Sequence, residues 1–260
     1  MRRMKRVLKL VALLVVLLVV AVVGLLAATF LGRRSITDGA EVNGVRVVQD
    51  GMVAVGLIPI SDGEVALVDA GNDAAATAIL AELARRNLGP DAVTTILITH
   101  GHPDHIAGVA KFPRAQVTAL DTEVPLIEGR TGARGPLTRL MPVSPTGITV
   151  ARPMADGDTI PLGSHMVRVF AVPGHTQGSA AYLVDGVLFM GDAADSTDEG
   201  AVIEAPWVFS DSQAQDRAAL VALDQRLKRE NVAVKAIAFS HSGMLTGGLA
   251  PLDAFAAANR

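Results

Sequence analysis

The chain has 260 residues, half of them apolar, no cysteine, and a formal charge of −3 at neutral pH. That composition excludes a collagen, a bare coiled coil and a disordered tail. The missing cysteine excludes disulfides, thiolate ligands and a cysteine nucleophile, so any metal must be held by His, Asp or Glu.

Residues 10–31 hold 20 apolar residues in 22 and no charge. As a helix they would extend about 33 Å, enough to cross a hydrocarbon core of roughly 30 Å. Arg2, Arg3, Lys5, Arg6 and Lys9 precede the run with no acid among them, against Arg33 and Arg34 beyond it. Five charges against two keep the start cytoplasmic and place the rest of the chain outside. A cleaved signal peptide is the rival reading, but its apolar core should be about 7–15 residues and end at a small-residue site, and GLLAATFLG offers no clean one. The expected organisation is a basic segment (1–9), a transmembrane anchor (10–31), a tether (32–44) and one domain (45–260). Without the five leading basic residues the charge is −8, and only 3% of residues are aromatic. No nucleic-acid partner is expected from a chain with neither a basic footprint nor stacking residues.

After the tether, VRVVQ (45–49), MVAVGLIPI (52–60) and EVALVD (64–69) predict an antiparallel meander separated by Gly and Asp turns. DAAATAILAELARRNLG (73–89) predicts a helix that stops at Gly89-Pro90. TTILIT (94–99) predicts a buried strand leading into HGHPDH. Residues 121–155 are rich in Gly, Pro and Arg with poor periodicity and read as an insertion or lid. Strands follow at 166–174, 179–185 and 187–192, then a helix at 212–231 with Leu220, Leu223 and Leu227 on one face, a strand at 234–240 and a helix near 251–258. Strand-rich halves, each followed by helices, predict two packed sheets with helices on both outer faces.

Three of only six histidines lie in THGHPDH (99–105). In an extended segment His100 and His102 can face one ion, while the turn at Pro103 lets Asp104 and His105 face another. Neutral imidazoles and carboxylates suit a borderline ion such as zinc. His175 in PGHTQGS, Asp192 in FMGD and His241 in FSHSG each follow an apolar strand-like run. Functional side chains are commonly displayed at such strand ends. Asp69 in LVDAG reads as a residue that orients a ligand. His165 lacks such company and reads as an ordinary surface or edge histidine. Asp195, Asp198 and Glu199 read as a solvated acidic loop, and Arg130, Arg134 and Arg139 as solvated lid residues with an anion grip as the other reading.

THxHxDH, PGHTxGS, the GD after an apolar strand, SHSG and the upstream DAG, in that order over 45–243, resemble the metallo-β-lactamase-fold hydrolase superfamily. The resemblance implies an αββα sandwich with metals at one edge of the two sheets. It implies that His100, His102 and His175 hold one Zn²⁺, that Asp104, His105 and His241 hold a second, and that Asp192 bridges them. Asp104 is then also the catalytic residue, orienting the attacking hydroxide and moving a proton to the leaving group. The implied activity is hydrolysis of an ester, thioester, lactone or related acyl bond of a small molecule. A mononuclear iron sulfur dioxygenase is the alternative, as is a β-lactamase of the three-plus-three ligand class, in which a serine tends to follow the bridging aspartate where this chain has Ala193. Asp195 stands where quorum-quenching lactonases carry a tyrosine, and no Lys/Tyr cluster for glutathione is evident.

Overall fold

Leu, Val and Ala without proline sustain one uninterrupted helix, α1 (Arg2–Phe30), in the computed structural model, which describes residues 2–260. Its stretch Arg3–Leu25 is long and apolar enough to cross a membrane. It begins earlier than the apolar run because Arg and Lys are good helix formers. The chain divides at Arg33/Arg34, and Arg34–Arg260 form a separate compact unit.

The first half of that unit builds a seven-stranded sheet. In chain order come β1 (Glu41–Val42), β2 (Val45–Asp50), β3 (Val53–Pro59), β4 (Val65–Val68), helix α2 (Thr77–Arg85), β5 (Val93–Leu97), the one-turn helix α3 (Pro103–Ile106), β6 (Gln116–Leu120), the short helix α4 (Val124–Ile127) and β7 (Arg152–Met154). The strands lie side by side in sequence order, antiparallel through β4 and parallel from β4 to β7. The second half supplies β8 (Thr159–Leu162), β9 (His165–Ala171), β10 (Ala180–Val184), β11 (Val187–Phe189), the ribbon strands β12 (Ala194–Ser196) and β13 (Val202–Glu204), helix α5 (Gln213–Arg229), β14 (Ala236–Ala238) and helix α6 (Ala250–Ala258). Its five-stranded sheet runs β14-β11-β10-β9-β8, with β14 parallel to β11.

Three apolar clusters define four layers. Ile58, Val68 and Leu97 of the first sheet meet Tyr182, Val169 and Phe189 of the second in the central core. Gly56 allows that close approach, because a Cβ there would lie 2.5 Å from the Phe189 ring. Ile79 and Leu83 of α2 cover the outer face of the first sheet. Leu220, Leu223 and Leu227 of α5, with Leu252 of α6, cover the outer face of the second. The architecture is the αββα sandwich expected from the motifs.

Several local features differ from the sequence reading. Glu41–Val42, within the stretch read as a tether, pairs with β2. The helix expected over 73–89 is shortened to Thr77–Arg85. The Asp73 carboxylate captures the amides of Ala75 and Thr77, and Ala76 turns left-handed at φ 51°. The end of the insertion, Arg152–Met154, is a strand; Pro153 disguised it, and its place on the sheet edge is where proline is tolerated. Asp195 is buried, because the Ser242 hydroxyl donates to its carboxylate at 2.8 Å, while Asp198 and Glu199 are solvated as read.

Candidate metal centre

Strand ends from both sheets deliver the polar side chains to one place. His100 follows β5, and Pro103 opens α3 with the fixed φ that suits a first helical position, which turns Asp104 and His105 out of the strand direction. His175 follows β9, Asp192 follows β11 and His241 follows β14. All seven residues named as ligands from the sequence are brought together, in three overlapping groups: His100, His102 and His175; His100, His105 and Asp192; Asp104, His105 and His241. Within each group the nearest donor atoms lie within 4.8 Å of one another.

His102 Nδ1 lies 3.0 Å from His100 Nε2 and 3.0 Å from His175 Nε2. Asp192 reaches toward both sides of the cluster. Its Oδ2 is 3.2 Å from His241 Nε2, 3.6 Å from His175 Nε2 and 4.0 Å from His100 Nε2, and its Oδ1 is 3.3 Å from His105 Nε2. Asp104 Oδ2 stands 3.2 Å from His241 Nε2. Asp104, 30% exposed, is the most open of the seven, and His241 follows at 11%; the others are buried.

The hydrogen bonds on the far side of four rings decide which nitrogen carries the proton. The Ser210 hydroxyl donates to the Pro206 carbonyl, so it accepts from His175 Nδ1 at 3.1 Å. The Thr99 hydroxyl donates to Asp69, so it accepts from His100 Nδ1 at 3.2 Å. His105 Nδ1 donates to Asp69 Oδ2 at 2.8 Å, and His241 Nδ1 donates to the Met52 carbonyl at 3.0 Å. In each neutral ring Nε2 is therefore left as a bare lone pair aimed into the cluster. Asp69 holds the ring of His105, one of the histidines the sequence singled out. Ser210 and the Met52 carbonyl were not foreseen.

Charge follows burial and neighbours. Burial, reinforced by the surrounding rings, pushes His100 well below its ordinary value and His175 down to about 3; burial also lowers His102. These three are neutral donors. Burial works against a proton on His241, yet Asp192 and Asp104 raise it to about 10. Burial likewise opposes the raising of His105, which Asp192 and Asp69 carry well above the usual range. The Asp192 carboxyl is held well below the usual carboxylate range by His241 and His105 despite its burial. His105 Nε2 and Asp192 Oδ1 are buried and neither completes a hydrogen bond. Five imidazoles and two carboxylates converging with these unmet demands form a donor set that fits divalent cations.

Glu123, unforeseen in the insertion, ties the histidine loops together. Its Oε1 accepts from Gly101 N and its Oε2 from Gly178 N, both at 2.8 Å. One buried carboxylate thereby anchors the loop of His100 and His102 and the loop of His175. His165 lies outside the cluster and pairs with Asp185 at 2.5 Å.

The family model of the metallo-beta-lactamase superfamily matches residues 48–241, a range that contains all seven clustered side chains. The chain belongs to the metallo-beta-lactamase superfamily. Among curated relatives, a hydroxyacylglutathione hydrolase of Vibrio cholerae serotype O1 is 36% identical over 152 residues, covering 57% of this chain and 49% of the relative. Another hydroxyacylglutathione hydrolase, of a Shewanella species, is 38% identical over 113 residues, 42% of this chain and 38% of its own length. The chain spans about half the length of the Vibrio relative or less of the Shewanella one. Among solved structures, the subclass B3 metallo-beta-lactamase BJP-1 of Bradyrhizobium japonicum superposes with a TM-score of 0.60 at 21% identity, covering 81% of this chain and 80% of that one. An archaeal superfamily protein of Sulfolobus tokodaii gives 0.58 at 18% identity, covering 84% and 86%. These structures share the superfamily fold.

Proposed function

We propose that the chain is a dinuclear zinc hydrolase of a small-molecule acyl bond, a thioester, ester or lactone. In this reading His100, His102 and His175 hold one ion, Asp104, His105 and His241 hold the other, and Asp192 spans both. The observation that carries it is the convergence of the Nε2 atoms of His100, His105, His175 and His241 and of His102 Nδ1 on two carboxylates, with Nδ1 of those four rings engaged by Thr99, Asp69, Ser210 and the Met52 carbonyl. When bound, zinc supplies Lewis acidity and brings the pKa of water to about 7.

The chain's own residues do the rest. Ser210, Thr99 and Asp69 hold His175, His100 and His105 in register, so that no reorganisation is needed when substrate arrives. Asp104, at the open side of the cluster, accepts a proton from the attacking water at its carboxylate and passes it to the leaving sulfur or oxygen. Water adds across the acyl bond, yielding a carboxylic acid and a thiol or alcohol. The thioester reading is supported by the hydroxyacylglutathione hydrolases among the relatives.

Helix α1 anchors the chain in a membrane with the hydrolase unit outside the cytoplasm, an orientation supported by the five basic residues ahead of the apolar run. A periplasmic reporter fused after Arg260 is then active, and activity of a cytoplasmic reporter reverses the orientation.

Metal analysis of the purified chain, with turnover on a panel of thioesters, esters, lactones and nitrocefin, tests the function. Two zinc ions per chain with acyl hydrolysis are expected, and His102→Ala or Asp192→Ala lowers both zinc content and turnover sharply. Full activity after either substitution refutes the ligand assignment. One iron per chain with oxygen consumption replaces hydrolysis by sulfur oxidation.

A further inference from the structure

We propose that the cavity beneath the 121–155 insertion receives an apolar acyl group of the substrate, so that the preferred substrate carries a hydrocarbon acyl chain rather than a short polar or anionic one. This rests on the acyl-hydrolase reading of the adjoining centre. The cavity has a volume of about 440 Å³, within the range of small-molecule sites. Its lining includes Gly101, His102 and Pro103, a stretch that contains the proposed ligand His102 and lies between His100 and Asp104, so a chain lying in it ends beside the centre. Ile106 rises from α3, Leu126 from α4, and Met141, Val143 and Ile148 from the insertion.

The chemistry of the walls selects the ligand. No Asp, Glu, Lys or Arg lines the cavity. An anionic group placed there would lose its hydration without gaining a counter-charge, at a cost of several kcal/mol. The insertion's arginines do not supply one. None of Arg130, Arg134 and Arg139 lines the cavity, and Arg130 is engaged with Glu128 at 2.9 Å. Two of the wall hydroxyls are engaged locally: Thr146 donates to the Ile127 carbonyl at 2.7 Å and Thr138 to the Gly135 carbonyl at 3.5 Å.

Apolar surface meanwhile stands open at the rim. Met141 is 49% and Val143 55% exposed, and a hydrocarbon chain covering them gains the burial that the fold leaves unmade. The cavity is also firmly seated. A Cβ on Gly129 would fall 1.9 Å from the Ser144 carbonyl oxygen, so two arms of the insertion pass backbone against backbone there.

The test uses the full chain in lipid nanodiscs with zinc and a series of thioesters of one thiol, N-acetylcysteamine, bearing acetyl, butyryl, hexanoyl, octanoyl and succinyl groups. The expected kcat/KM rises about threefold to fourfold per added methylene until the cavity fills, mainly through KM, and succinyl falls at least tenfold below butyryl. Val143→Asp costs the octanoyl thioester at least ten times more than the acetyl one, with zinc content unchanged. A flat series, or succinyl equal to butyryl, overturns the proposal. If no thioester turns over, the thioester reading fails and the cavity is judged by calorimetry alone. Octanoate that saturates the wild-type chain, and binds Val143→Asp at least tenfold more weakly in the same discs, upholds it; equal octanoate uptake by the two overturns it.

Discussion

Asp69→Asn tests whether the hydrogen bonds behind the rings hold the metal centre together. Asp69 sits at φ 63°, a conformation asparagine tolerates, so the substitution leaves the backbone alone and changes only the acceptors. The carboxylate receives three hydrogen bonds: Oδ1 from Thr99 N at 2.7 Å, and Oδ2 from the Thr99 hydroxyl and from His105 Nδ1, each at 2.8 Å. Asparagine has one acceptor oxygen. If that oxygen keeps the two bonds of Oδ2, the new NH₂ confronts the buried amide of Thr99. If it keeps the amide, His105 Nδ1 faces a donor. Either arrangement leaves a buried donor unpaired, at about 1–3 kcal/mol, and loosens the orientation of His105. Urea unfolding of the metal-free chain should register that loss. Competition with a chromophoric chelator should show zinc bound about 10-fold to 100-fold more weakly, as for other residues that orient a metal-binding histidine. An unchanged unfolding midpoint together with wild-type zinc affinity would refute the reasoning.

Three further outcomes follow from the same structure. Leu220→Ala, in the layer between α5 and the second sheet and fully buried, should destabilise the fold by about 2–5 kcal/mol in chemical denaturation. Glu123→Ala leaves the amides of Gly101 and Gly178 without their acceptor; about 1–3 kcal/mol per amide should appear as a lower melting temperature and weaker zinc binding. Burial raises Asp216 to about 8, so its folded form holds a proton that the unfolded chain releases near its ordinary carboxylate value. The stability this group contributes is present at low pH and is lost as pH rises through about 8. Asp216→Asn should therefore flatten the decline of the metal-free chain's unfolding midpoint between pH 6 and 8, and an identical pH profile in both proteins would contradict the assignment.

The clustering of these histidines and aspartates was legible because three of six histidines fall within six residues and the rest of the cluster follows apolar strand-like runs, a pattern that survives any detail of packing. Its supports were less legible for reasons that differ residue by residue. Met52 acts through a carbonyl that every residue type possesses. Ser210 bears on His175 from a loop 35 positions away, with nothing around it to distinguish that serine from a surface one. Glu123 lies in a segment whose Gly and Pro content suppresses periodicity, and its role arises only where two distant loops meet. The α2 boundary was misjudged because helical spacing of apolar residues says nothing of a carboxylate, Asp73, that caps the amides from within the pattern. The layers, by contrast, followed from the order of strands and helices, and the apolar face of Leu220, Leu223 and Leu227 found its cover on the second sheet and α6.

The centre draws one group of donors from the first sheet and another from the second, with His100 and His241 separated by most of the unit's length. A half-built sandwich possesses neither complete set. Ions held as proposed would therefore not act as a nucleus that guides early collapse, and the many long-range pairings would come first, in a topology that folds slowly. Uptake of metal at the proposed centre would then be the last event of maturation and would mark the chains that have finished.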